Sequence, residues 1–275
     1  MPYGDLLEAG QLDQALAALQ GELRQSPGDV DRWVHLFALQ CVMGRFEKAL
    51  GGLQKAASLD EGWVGPAQEN RLLISCELAR REVFAGKRRP LILGEPPAWV
   101  ALYVEALALE AQGRTQEAGE LRARAWGDAP VLAAKVNGQP CESLVDADER
   151  IGPILEAYLD GRYYWIPFGQ IQRLESEPAK VLIELVWLPS TLKLATGAEV
   201  KAYLPVRYPG SEEAADAGLR LARRTEWRRV PGGGYAGVGQ RMFEHSQGDV
   251  PLLECRLIEF SPPAQADSAS STAGV

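Results

Sequence analysis

Apolar residues recur three and four apart through much of the first half of the chain, and that period predicts helices. One helix is expected from Asp31 to Met43 and another from Phe46 to Ser58, with a turn at Gly44-Arg45 between them. Leu72, Leu73, Cys76, Leu78, Ala79 and Val83 give the apolar stripe of a third, from about Gln68 to Phe84. Gly86-Lys87-Arg88-Arg89-Pro90 breaks it. Glu95-Pro96-Pro97 then opens a helix over about Ala98 to Gln112, since proline suits a helix start, and the helix after Gly113 ends near Gly127. Past Pro130 the pattern changes. Val131 to Asn137 has no clear period, and Asp148 to Leu159 reads as a short helix closed by Gly161. Beyond it β-formers dominate, predicting strands at Arg162–Phe168, Leu185–Leu188, Leu192–Ala195, Glu199–Tyr208, Thr225–Val230, Gln240–Glu244 and Leu252–Phe260. Thr196-Gly197-Ala198 reads as a hairpin turn, and Ser211 to Ala222 as a helix or crossing loop.

The helical half carries an internal repeat. Gly10, Leu12, Ala15 and Leu19 are matched 34 residues later by Gly44, Phe46, Ala49 and Leu53. A weaker third copy has Gly113, Ala118 and Pro130, with the proline placed after its glycine as Pro27 is after Gly10. The glycine closes one helix in a tight turn, the large apolar residue packs under it, the alanine admits the next helix, and the proline stops that helix. A helix–turn–helix of this length and marking resembles the tetratricopeptide repeat. The expected fold class is α+β: tetratricopeptide-like helical hairpins over residues 1–135, then a mostly antiparallel α/β domain over residues 140–260. Residues 261–275, rich in Pro, Ala and Ser, are expected to form a disordered tail.

With 275 residues and 46% hydrophobic content, the chain can bury one or two cores. Its formal net charge of −8 gives no overall attraction for nucleic acid or an anionic membrane. Arg220, Arg223, Arg224, Arg228 and Arg229 do cluster, with Glu226 among them, and read as a solvated or partner-facing surface. No segment approaches the length of apolar sequence that spans a bilayer, and Met1 to Glu8 lacks the basic and apolar regions of a secretory signal. A cytoplasmic protein is expected. Cys41, Cys76, Cys141 and Cys255 are widely spaced, and disulfides are not expected in that compartment.

Motifs for chemistry are sparse. His35 lies within a helix and His245 at the edge of a hairpin; there is no HExxH, no GxSxG and no Cys/His cluster, and no metal or cofactor is expected. Gly232 to Gly239 is glycine-rich, but no Lys-Ser/Thr follows it and the next residues are strand-like, so a flexible hairpin loop is favoured over a phosphate cradle. Asp146, Asp148 and Glu149 read as charges opposing a helix dipole. Tyr163 and Trp165 should share one face of a strand, with Tyr164 on the other.

Several stretches together resemble the ImpE/TagJ family of bacterial type VI secretion accessory proteins. They are Leu36 to Leu50, Asp146 to Pro153, Gly161 to Phe168, Leu185 to Pro189, Pro205 to Ser211, Ala222 to Trp227, Gly237 to Met242 and Pro251 to Arg256. The match covers about residues 5–260. The resemblance implies a non-enzymatic adaptor that binds an N-terminal helical segment of TssB, the small contractile-sheath subunit, and is associated with sheath handling by the ClpV unfoldase. It carries no residue-level motif for that contact. Stacked hairpins leave a concave face lined by the first helix of each pair, which nominates Val34, Ala38, Cys41, Tyr103, Leu107 and Glu110 for partner binding. Two other readings stand beside it: a generic repeat scaffold for an unrelated peptide, and an enzyme with a site around Asp148, Arg207, Arg224 and His245.

Overall fold

The computed structural model describes residues 2–261. Helices α1 (Tyr3–Glu8), α2 (Leu12–Gln25), α3 (Val30–Val42), α4 (Phe46–Leu59) and α5 (Val64–Phe84) lead into a short strand, β1 (Leu91–Ile92). Helices α6 (Ala98–Ala111) and α7 (Thr115–Asp128) complete the helical half. The repeat is visible in the backbone. Gly10, Gly44 and Gly113 all take positive φ near +70°. In each turn the glycine N–H bonds back to Leu7, Cys41 or Glu110, and the next residue to Leu6, Gln40 or Leu109. Ala15, Ala49 and Ala118 are all fully buried. Gly86, read only as a helix breaker, closes α5 with the same pair of bonds.

The second half is built from strands β2 (Ala134–Val136), β3 (Gln139–Cys141), β4 (Leu144–Asp146), β5 (Ile154–Leu159), β6 (Arg162–Pro167), β7 (Ile171–Ser176), β8 (Trp187–Leu194) and β9 (Glu199–Pro205). After the short helix α8 (Ala217–Arg220) come β10 (Thr225–Arg229), β11 (Tyr235–Gly239), β12 (Met242–His245), β13 (Gly248–Pro251) and β14 (Leu257–Phe260). A nine-stranded sheet runs β1-β6-β5-β9-β8-β7-β14-β2-β3, beside a three-stranded sheet β13-β12-β4 and the hairpin β10-β11. Every pairing is antiparallel except β1 with β6. The fold is α+β, helices first and sheet second. The hairpin at Thr196-Gly197-Ala198 joins β8 to β9, with Gly197 at φ +85°. The tail expected at 261–275 lies, beyond Ser261, outside the described residues.

Four expectations are corrected. Asp148 to Leu159 is not a helix: Ile154–Leu159 is β5, a central strand buried at every position. Ile154 and Tyr158 face the helices while Leu155, Ala157 and Leu159 face a second core, so no period of two survives in the sequence. With no helix there, Asp146, Asp148 and Glu149 do not oppose a helix dipole. The strands expected at 185–188 and 192–195 are one strand, β8, which passes through Pro189. The glycine-rich segment is loop only to Gly234; Tyr235–Gly239 is strand β11.

The core of the helical half extends into the sheet, uniting Leu19, Phe37, Leu53, Ile74 and Val100 with Tyr158, Trp165 and Trp187. At its centre lies a buried ionic network. Arg80 of α5 donates through Nε and Nη2 to the Glu156 carboxylate of β5, at 2.7 and 3.0 Å, through Nη1 to Glu77 at 3.2 Å and through Nη2 to the Arg207 carbonyl at 2.9 Å. Arg241 pairs with both Glu156 and Asp146. Tyr158 and Trp187 donate to Glu77 at 2.5 and 3.0 Å. Arg207 caps α3 by donating to the carbonyls of Val42 and Cys41 at 2.7 and 3.3 Å. The carboxylates, Arg80 and Arg241 are tolerable in this interior because they are paired and hydrogen-bonded, while Arg207 is satisfied by backbone carbonyls alone.

Candidate functional site

The nominated partner-binding residues are placed unevenly. Ala38, Cys41, Tyr103 and Leu107 are buried, while Val34 and Glu110 are half-buried. The sheet side packs against this end of α3: Arg207 donates to its last carbonyls, and Phe46, at the start of α4, stacks on Trp187 with ring centroids 6.0 Å apart. Tyr103 lies under the turn at Gly152, where an added Cβ would come within 2.6 Å of the tyrosine hydroxyl. A partner helix reaches these four side chains only by displacing what covers them. The nominated enzymatic residues are not drawn together. Asp148 is held by Arg150, Arg207 by backbone carbonyls, Arg224 by Asp216 and Glu226, and His245 accepts from the Gln247 N–H. None of the four lines either of the two large cavities. The arginine cluster also has structural employment: Arg223 donates to the Glu8 carbonyl at 2.7 Å and Arg220 to the Ala214 carbonyl at 2.5 Å.

The most promising surface is a groove of about 850 Å³ between α7 and the β10–β13 hairpins. Its lining includes Tyr103, Arg122, Trp126, Glu149, Trp227, Tyr235, Glu244 and Asp249. Trp126 is 53% exposed, Tyr235 52% and Trp227 38%. Among the described residues these are the three tryptophan, tyrosine or phenylalanine side chains left most open to solvent, and all three line this one groove. Each costs free energy by facing water, and contiguous exposed aromatic surface is the usual mark of an interaction site.

The wall is fixed by glycine. A Cβ on Gly119 of α7 would lie 2.0 Å from the Gly232 carbonyl oxygen, and one on Gly232 would lie 1.8 Å from that of Thr115. The Gly232-Gly233-Gly234 loop is therefore packed backbone to backbone against the helix, with Gly232 at φ +91°. Arg122 secures it by donating to the Gly233 carbonyl at 3.3 Å and to Glu110 at 2.7 Å. This arginine occupies the repeat position held by Leu19 and Leu53 in the other two copies. Across the groove, the Glu149 carboxylate accepts from the Tyr235 N–H at 3.1 Å. Tyr103 thus lines the groove, and Glu110 holds the arginine that clamps its wall.

Sequence reading overlooked the groove, yet left a signal. Trp227 stands between Glu226 and Arg228, and Trp126 and Tyr235 each stand between an alanine and a glycine, with no large apolar residue beside them.

Comparison with known proteins adds the lineage. A family model described as ImpE protein matches residues 138–259. A Pseudomonas aeruginosa protein named type VI secretion system accessory component TagJ is 40% identical over 260 residues, spanning 94% of this chain and 90% of that protein. This chain belongs to the ImpE/TagJ family. A crystal structure of protein VPA1032 from Vibrio parahaemolyticus has the same fold, with a TM-score of 0.86 over 94% of this chain and 97% of the other at 23% identity. The ImpE match takes in the hairpin wall of the groove, with Glu149, Trp227, Tyr235, Glu244 and Asp249, while Tyr103, Arg122 and Trp126 come from the helical half. In this ImpE/TagJ chain the groove exists only because both halves meet. Among the described residues no helix is long and apolar enough to cross a membrane.

Proposed function

We propose that this chain is a non-enzymatic accessory protein of type VI secretion that binds the N-terminal helix of the small, TssB-like sheath subunit and assists sheath handling by the ClpV unfoldase. The observation that carries the reading is the 40% identity, along nearly the whole chain, to a protein named as an accessory component of that system. The preformed groove supports it further, since an amphipathic helix binds by laying its apolar face into such a surface. A cytoplasmic location follows from the same reading, because sheath and unfoldase are worked on from that side. The test is calorimetric titration of the full chain with a peptide spanning the N-terminal helix of the cognate small sheath subunit. Saturable binding at concentrations on the order of tens of micromolar or below, abolished when the peptide's apolar positions are changed to Asp, is the expected result. No heat, and no binding by a second method, sinks the sheath assignment.

A further inference from the structure

The groove's lining has a charge pattern that its own fold does not answer. Glu244 and Asp249 stand directly opposite each other on β12 and β13, and both are exposed. Like charges in a cross-strand pair repel and weaken the ladder. Glu149 joins them in the lining. Among the described residues none of these three carboxylates has an ion-pair partner. Arg122 is the one cation in the lining, and it is already committed to Glu110 and the glycine loop. Arg229 stands beside Tyr235 on the neighbouring hairpin but does not line the groove.

We propose that this groove docks a partner-protein segment presenting arginine or lysine among apolar side chains. The cation lies against the faces of Trp126, Trp227 and Tyr235, with Glu149, Glu244 and Asp249 supplying the counter-charge. Aromatic faces attract cations as well as apolar groups, and the attraction grows where water is excluded. A guanidinium also meets carboxylates through paired hydrogen bonds. Acidic lining disfavours nucleic acid and anionic lipid, whose phosphates would be repelled. The chain's own residues 262–275 contain no lysine or arginine and so do not match this surface. The clamped glycine loop keeps the wall in place before binding, so little ordering remains to be done on docking.

The inference rests on reading the chain as a binding protein, but not on the identity of the sheath helix. Its test uses the full chain and two synthetic helical peptides with the same leucine face, one carrying arginines and the other glutamates on its polar side. The arginine peptide should bind at least roughly tenfold more tightly, and lose affinity as salt rises to on the order of 0.5 M. The exposed-surface double variant Glu244→Lys/Asp249→Lys should weaken that peptide by about tenfold or more and favour the glutamate peptide. Trp126→Ala should weaken the arginine peptide with little effect on unfolding. Equal binding of both peptides, no binding of either, or indifference to these variants overturns the proposal. The sheath-helix titration is scored separately. If that helix binds while the two synthetic peptides bind equally or not at all, the adaptor reading stands and the groove falls; if charge-selective peptide binding persists without sheath binding, the reverse holds.

Discussion

Replacing Arg80 by methionine should destabilise the whole chain, not only its helical half. The side chain is almost wholly buried and donates four hydrogen bonds, two of them to Glu156 and one to Glu77. Methionine fills much of the space but leaves Glu77 buried without a guanidinium, and leaves Glu156 to Arg241 alone. Removing one partner of such a buried pair costs about 3–5 kcal/mol. For a chain of this size that is a fall of roughly 6–20 °C in melting temperature. Urea unfolding is the assay, followed by far-ultraviolet circular dichroism for the helices and by the fluorescence of the seven tryptophans, which lie in both halves and include Trp165 and Trp187 in the interface. Because the network ties α5 to β5, both signals should shift to the same lower midpoint. Adding Glu77→Gln should recover part of the loss by removing the stranded charge. A loss under about 1 kcal/mol, or a shift in one signal alone, would refute the reasoning that this network couples the two halves.

Two further predictions follow from the same physics. Burial pushes Glu156 upward, but Arg80 and Arg241 outweigh it and hold the carboxyl down at about 2. Its contribution is therefore fully present above the ordinary carboxylate range and is lost as pH falls towards 2. Asp146 has the opposite sign: burial, with help from Asp148, lifts it to about 6 against the pull of Arg241. Stability from this group should rise as pH drops from about 6 to 4, and Asp146→Asn should flatten that slope in urea midpoints measured across the range; an unchanged slope excludes Asp146 as its source. Gly119→Ala should reverse the usual helix preference. Alanine ordinarily gains about 1 kcal/mol over glycine in a helix interior, as Gly51→Ala should in α4, where an added Cβ meets nothing within 4 Å. At Gly119 the Cβ would lie 2.0 Å from the Gly232 oxygen, so the variant should lose stability and loosen the groove wall; equal stabilisation of the two variants would mean that the loop is not held there.

The repeat was legible because it is a local code. Gly10, Gly44 and Gly113 close helices whatever lies beyond them, and Ala15, Ala49 and Ala118 are small because a neighbouring helix in the same hairpin needs the space. The antiparallel sheet was legible where strands alternate or end in a glycine turn, as at Gly197. β5 was not, because a strand buried on both faces loses its alternation, and Glu156 within it looks like a helical surface residue until Arg80 and Arg241 are seen around it. Asp146 and Asp148 misled for the same reason, since their partners Arg241 and Arg150 define them as interior ions.

By itself the sequence determined the α+β class, the helical hairpins, the lineage and the want of a recognisable catalytic motif, all of which rest on neighbours close along the chain or on ordered short motifs. Tertiary structure alone decided which faces remain open. It covered Ala38, Cys41, Tyr103 and Leu107, and it brought Trp126 together with Trp227 and Tyr235 about a hundred residues away. Exposure is a property of the surface left after both halves pack, so no local pattern encodes it.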